Sequence, residues 1–160
     1  MTKNDEILMR KVKLDKVVLS ISTTGDNLEK GVKLLKFLTG KNPAKMKSTK
    51  RIPDWGVRPN LEVGTVVTIR KGASELLKRI LSAVENTLRK KQMSENCFTF
   101  GLKEYIDIGI MGFDVTVVFK RSGRRVGLRK IGRGKIPKKQ VISKEEIIKF
   151  MEENFNINFI

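Results

Sequence analysis

Between Lys120 and Lys139 the chain carries Lys120, Arg121, Arg124, Arg125, Arg129, Lys130, Arg133, Lys135, Lys138 and Lys139 without a single acidic residue. Like charges crowded in this way repel one another, and none of them can enter an apolar interior without a partner. A solvated helix face normally alternates its charge signs, and this run does not. Whatever the remainder folds into must therefore leave this basic arm at the surface, where an external polyanion can neutralise it. The chain as a whole agrees, with a formal net charge of +17 and a pI near 10.2 over 160 residues. Its 39% apolar content suffices for one core, so a single domain over residues 1–160 is expected.

Most catalytic chemistries fall to composition. The chain has no histidine and one cysteine, Cys97, which removes the usual zinc sites and every Ser-His or Cys-His arrangement. Cys97 stands beside Phe98 and Phe100 and reads as a small buried hydrophobe in a reducing cytoplasm. The carboxylate pairs Glu145–Glu146 and Glu152–Glu153 read as helix-dipole partners and solubilising charge. Gly127, Gly132 and Gly134 before Lys135 resemble a phosphate loop, yet Ile136 occupies the place where a metal-binding Ser or Thr is required. A disordered or RNA-embedded arm accounts for them better. No enzyme, metal, cofactor or small-molecule substrate is expected. A membrane is not expected either, since no apolar run reaches the roughly 18 residues that spanning needs and no N-terminal signal pattern is present.

Periodicity supplies the elements. Val17, Leu19 and Ile21 alternate with polar neighbours as a half-buried strand does, until Thr24, Gly25 and Asp26 break the pattern. Leu28, Val32, Leu35 and Leu38 recur at helical spacing, and Gly40 closes that segment. Residues 41–60 hold Pro43, Pro53 and Pro59 and form a long connection with a short strand near Met46. Leu61 to Lys71 predicts a central strand, and Ser74 to Lys90 a second amphipathic helix. Phe98–Leu102 and Gly112–Lys120 are further strands, and Ser143 with Glu146 marks the capping box of a last helix running to Phe155. Together these predict an α+β fold, an antiparallel or mixed sheet with amphipathic helices on one face and a basic arm over 120–139.

Three groups of residues are candidate nucleic-acid contacts. The arm residues come first, led by Arg121, Arg124 and Arg125, whose planar forks suit phosphate oxygens. In the long loop, Lys45, Lys47, Ser48, Lys50, Arg51 and Arg58 surround Trp55, an aromatic able to stack on a base or, alternatively, to pin the loop to the domain. The uncovered sheet face would show Lys16, Ser20, Ser22, Thr68, Arg70, Thr116 and Lys120, suited to a backbone and its 2′-hydroxyls.

Several blocks, in order, resemble one known family. Leu38-Thr39-Gly40-Lys41, Asp54-Trp55-Gly56-Val57-Arg58 and Val67-Thr68-Ile69-Arg70-Lys71-Gly72 are followed by Phe100-Gly101-Leu102-Lys103-Glu104-Tyr105-Ile106-Asp107 and Gly109-Ile110-Met111-Gly112-Phe113-Asp114-Val115. Lys135-Ile136-Pro137 and Ile142-Ser143-Lys144-Glu145-Glu146 complete the series. The pattern resembles the large-subunit ribosomal protein five family in its archaeal and eukaryotic form. That resemblance implies an α+β fold, binding to 5S rRNA, attachment to large-subunit rRNA among neighbouring proteins of the central protuberance, and no reaction. It further implies that the loop over 48–58 reaches P-site tRNA and that the protein touches small-subunit protein thirteen across an intersubunit bridge. The chain departs from the family at Ser20, Ser22 and Thr24, where an asparagine and glycines are usual, and at Tyr105, where a histidine is common. It also lacks the usual Tyr-Asp-Pro segment between Asp107 and Gly109 and is short over Lys91 to Asn96, both on the bridge side in relatives. Two rivals are kept: an architectural protein binding double-stranded nucleic acid outside the ribosome, and an RNA-modifying enzyme using Asp107 or Asp114 as a base.

Overall fold

The computed structural model describes residues 10–103 and 112–160, so the expectations for Tyr105 and Asp107 lie outside the described residues. The architecture is α+β. The described strands β1 (Val12–Ile21), β2 (Ala44–Lys47), β3 (Glu62–Ile69), β5 (Met93–Ser94), β6 (Cys97–Leu102) and β7 (Phe113–Arg121) form a six-stranded sheet in the order β2-β3-β1-β7-β6-β5. The pairs β1–β3, β2–β3 and β5–β6 are antiparallel. A separate parallel pair joins β4 (Thr87–Leu88) to β8 (Asn158–Phe159). Four α-helices are described: α1 (Asp26–Thr39), α2 (Ala73–Ser82), a single turn α3 (Arg125–Leu128), and α4 (Lys144–Phe155). The residues gather into two compact units, one of residues up to Lys16 with Ala73–Thr99 and Val117–Ile160, the other of Val17–Gly72 with Phe100–Thr116.

In the second unit the register sets Val17 against Ile69, Leu19 against Val67 and Ile21 against Thr65, and all six are buried. Helix α1 packs on β3, burying Leu28, Leu34, Leu35 and Leu38. Each such side chain withdrawn from water stabilises the unit by about 1.5–3 kcal/mol before chain entropy is counted. The helix stops at Gly40, whose φ of 64° only glycine adopts without strain and whose N–H donates to the Lys36 carbonyl at 2.8 Å.

The first unit is built around aromatic contacts. Phe119 of β7 stacks on Phe98 of β6 with ring centroids 5.9 Å apart and meets Phe150 of α4 edge-on at 5.6 Å. Helix α4 begins at Ser143, whose hydroxyl accepts from the Glu146 N–H while the Glu146 carboxylate accepts from the Ser143 N–H. Helix α2 ends earlier than the spacing predicts. Glu85 and Asn86 both lie at left-handed φ, and the chain then enters β4, where Leu88 pairs with Phe159. Val84 and Leu88 continue the helical period, but the parallel partner near the C-terminus takes Leu88 out of it; a periodic pattern cannot register so distant a competitor. Cys97, read as buried, is half-exposed at the start of β6.

The arm, expected as a disordered or RNA-embedded stretch, has backbone contacts of its own. Its Gly134 N–H donates to the Val126 carbonyl at 3.1 Å, closing a loop that follows α3. Gly127 lies buried beneath Ile136, and a β-carbon there would stand 2.5 Å from the Ile136 Cδ1. Close packing, and no phosphate-loop geometry, therefore explains this glycine.

Candidate nucleic-acid interface

At the root of the arm the cations are engaged by the protein itself. Lys120 pairs with Asp15 at 2.6 Å. Arg121 is 8% exposed, and its Nη2 donates to both Glu146 oxygens at 2.5–2.6 Å while Nη1 donates to the Lys139 carbonyl at 3.0 Å. Its Nε is buried without a hydrogen-bond partner among the described residues. Arg121, expected to lead the phosphate contacts, instead ties β7 to the start of α4. The reason is Glu146, which serves the helix cap and this fork at once. Among the described residues Arg124 makes a single side-chain bond, its Nη1 donating to the Phe119 carbonyl at 3.2 Å. Beyond the root, Arg125, Arg129, Lys130, Arg133, Lys135, Lys138 and Lys139 are exposed, and none has a carboxylate partner among the described residues. These seven form the chargeable surface of the arm. Between the arm and the end of β7 opens a cleft of about 330 Å³, lined by cationic, amide and aliphatic side chains together.

The loop is held differently. Ile52 and Val57 form an antiparallel bridge with hydrogen bonds of 2.9 and 3.0 Å, and the Ser48 N–H donates to the Leu61 carbonyl at 2.8 Å. Inside the bridge, Pro53–Trp55 make one turn of 3₁₀ helix ended by Gly56. Val57 is buried and Trp55 is 78% exposed. The alternative in which Trp55 pins the loop is thereby overturned, because Val57 does the anchoring and the indole is left in solvent. Lys47, Lys50, Arg51 and Arg58 accompany it, without a carboxylate partner among the described residues. Lys45 is the exception, paired with Glu62 at 2.8 Å. Its hydrogen bond to Glu62, reinforced by the charges of Glu62 and Glu29, holds the ammonium above the ordinary pKa of 10.5.

On the sheet of the second unit, Ser20 and Thr68 are half-buried while Ser22 and Arg70 are exposed. Their register partners escape a strand-by-strand reading of the sequence: Val18 lies against Thr68, and Val66 against both Ser20 and Ala44. The face is thus small and mixed, not uniformly polar, with Thr116 also half-buried. Adding the alternate residues of each strand finds them, since cross-strand partners share a face. Lys16, in the first unit, is half-buried.

No protein-family model matches the chain. Individual relatives do, over almost its entire length. It is 35% identical over 165 residues to the large ribosomal subunit protein uL5 of Nanoarchaeum equitans, covering 95% of this chain and 98% of the relative. The uL5 protein of Sulfolobus acidocaldarius is 37% identical over 170 residues, with 97% and 94% covered, and that of Picrophilus torridus 36% identical over 174 residues, with 100% and 99% covered. The chain belongs to the uL5 family. As a uL5 protein it is structural and not an enzyme. Asp114, the remaining base candidate, is simply an exposed residue of β7. No cluster of three or more potential metal-binding side chains exists among the described residues, and no described helix is long and apolar enough to cross a membrane. The segment over Lys91 to Asn96, expected to be short, holds the end of one turn of 3₁₀ helix and the tight β5–β6 hairpin, turned at Asn96 with φ 62°.

Proposed function

We propose that this uL5 protein is a structural constituent of the large ribosomal subunit that binds 5S rRNA and helps attach it to the large-subunit rRNA in the central protuberance. The whole-length similarity to archaeal uL5 proteins carries this reading. The physical means is phosphate neutralisation by Arg125, Arg129, Lys130, Arg133, Lys135, Lys138 and Lys139, exposed and free of carboxylates among the described residues. Small side chains at Ser20, Ser22 and Thr68, with Arg70 at the strand end, let ribose 2′-hydroxyls approach the sheet of the second unit. The loop over 48–58 presents Trp55 and its cations to P-site tRNA, and the β5–β6 hairpin supplies a reduced contact with small-subunit protein thirteen.

Sedimentation of the endogenous protein tests the reading. Co-migration with 5S rRNA and large subunits is expected; large subunits assembled without the protein would overturn it. In vitro, log K for a 5S transcript should fall with log salt by about 0.7–0.9 for each neutralised phosphate, and a total slope shallower than about −2 counts against the proposal. Preference for duplex DNA over the 5S transcript in direct competition would favour the architectural rival instead.

A further inference from the structure

The cleft beside the arm combines features that neither a bare anion nor an apolar ligand would use. Arg124 and Lys135 line it without carboxylate partners among the described residues, whereas Lys120 and Arg121 are already neutralised. Aliphatic lining comes from Val126 and Ile136, which are both partly exposed. Two amides complete it. The Asn96 Oδ1 accepts from the Ile142 N–H at 3.0 Å, which fixes the amide and leaves its NH₂ as a donor. The Gln140 side chain has no hydrogen-bond partner among the described residues. A free phosphate would leave the aliphatic lining facing nothing, and an apolar ligand would leave Arg124 and Lys135 uncompensated. A single nucleotide unit satisfies all three: an anionic phosphodiester for the cations, a flat apolar base for the aliphatics, and ring acceptors for the amides. At about 330 Å³ the cleft stands at the small end of the ~300–1,000 Å³ range of small-ligand sites, which suits one unit and not several.

The walls are also pre-built. Gly127 sits against Ile136 and Gly134 against Val126, so that the arm's own packing holds both aliphatic side chains where the cleft needs them. Little ordering remains for a ligand to impose. We infer that this cleft receives one extruded, unpaired nucleotide of the bound RNA, so that the arm reads an irregularity in the RNA and not charge alone. The inference rests on the RNA-binding reading above and adds to it a site and a ligand class. Extrusion costs least at a bulge or loop, where the base has no pairing to lose.

The test uses the full chain and two RNA duplexes that share one 2-aminopurine-containing strand, one leaving that base bulged and the other pairing it through an added nucleotide in the complement. The bulged duplex should bind about tenfold more tightly, with a fluorescence change confined to the bulged probe. Gln140→Trp, which fills the cleft, and Lys135→Glu, a surface change that leaves packing untouched, should each bring the two affinities together. Equal affinities for the two duplexes with the wild-type chain, or a preference that survives Lys135→Glu, would overturn the cleft and leave RNA binding standing. Failure to bind either duplex and a 5S transcript at low salt would overturn both.

Discussion

The arm and the loop over 48–58 are both basic, yet they hold their charge in different ways. The root of the arm neutralises its charge within the protein: Arg121 is buried on Glu146 and Lys120 is matched by Asp15, whereas Arg124 makes one bond to the Phe119 carbonyl of β7. The loop keeps its charge outside, around a solvent-exposed tryptophan, and is anchored by an aliphatic residue and a backbone bridge. One run of cations therefore does two jobs, with its first members building the platform and its later ones presented outward. In the loop the residue types divide, with Val57 buried as the anchor and Trp55 left in solvent beside its cations. A charge run read as one functional block is in this chain a structural segment followed by an exposed one.

The sharpest way to break that distinction is at the root. Glu146→Ala leaves the Arg121 guanidinium buried with a single carbonyl and also removes half of the α4 cap. A fully buried pair broken in this way loses about 3–5 kcal/mol; the Glu146 side chain is 43% exposed, so a loss of about 3 kcal/mol is expected in urea unfolding. Glu146→Gln should cost less, because glutamine still serves the cap. If instead Glu146→Ala left stability unchanged and strengthened RNA binding, Arg121 would be a phosphate ligand held in reserve, and the division between root and arm would be wrong. Further out, replacing Arg129, Lys130 and Arg133 together with Gln should leave unfolding unaltered while flattening the salt dependence of RNA binding by about 0.7–0.9 per lost contact. A salt slope equal to that of the wild type would show that the exposed part of the arm meets no phosphate.

Trp55 probes the loop from the opposite side. Trp55→Ala should change unfolding free energy by less than about 0.5 kcal/mol, because the indole contacts solvent. Binding to tRNA, measured by filter retention or anisotropy, should weaken by about 1–3 kcal/mol if one base stacks on the ring. A large stability loss with unchanged tRNA affinity would return Trp55 to the anchoring role that Val57 now holds.

What is legible in the sequence follows the range of the interactions. The capping box at Ser143, the alternation in β7 and the close of α1 at Gly40 are local, so each is visible in a few neighbouring residues. The end of α2 is not, because Leu88 is claimed by Phe159. Arg121 misleads for the same reason: its partner lies 25 residues further along and reads, by itself, only as a helix cap. Residue type says that these cations seek anions, but which anion each one finds is decided by tertiary contacts. The mixed face of the second unit lies between these cases, since its residues follow from alternation once the cross-strand register is known.

The smallest expected effect concerns Lys45, the loop-side cation that finds a carboxylate partner among the described residues. Lys45 and Glu62 meet at 2.8 Å across β2 and β3, but both side chains are more than one-third exposed, so water and salt screen the pair. The folded-state pKa of Lys45 is raised, mainly by its hydrogen bond to Glu62, so whatever stability the pair contributes is fully present below the unfolded value near 10.5 and is lost as pH rises through the folded one. Comparing urea midpoints of the wild type and Lys45→Met should therefore show a slight difference near neutral pH and low salt. That difference should vanish in alkali and shrink in high salt. One that survived both would mean that the Lys45 stem, packed on the sheet edge, matters more than its charge, and the loop side would then join the root of the arm as a place where a lysine serves structure.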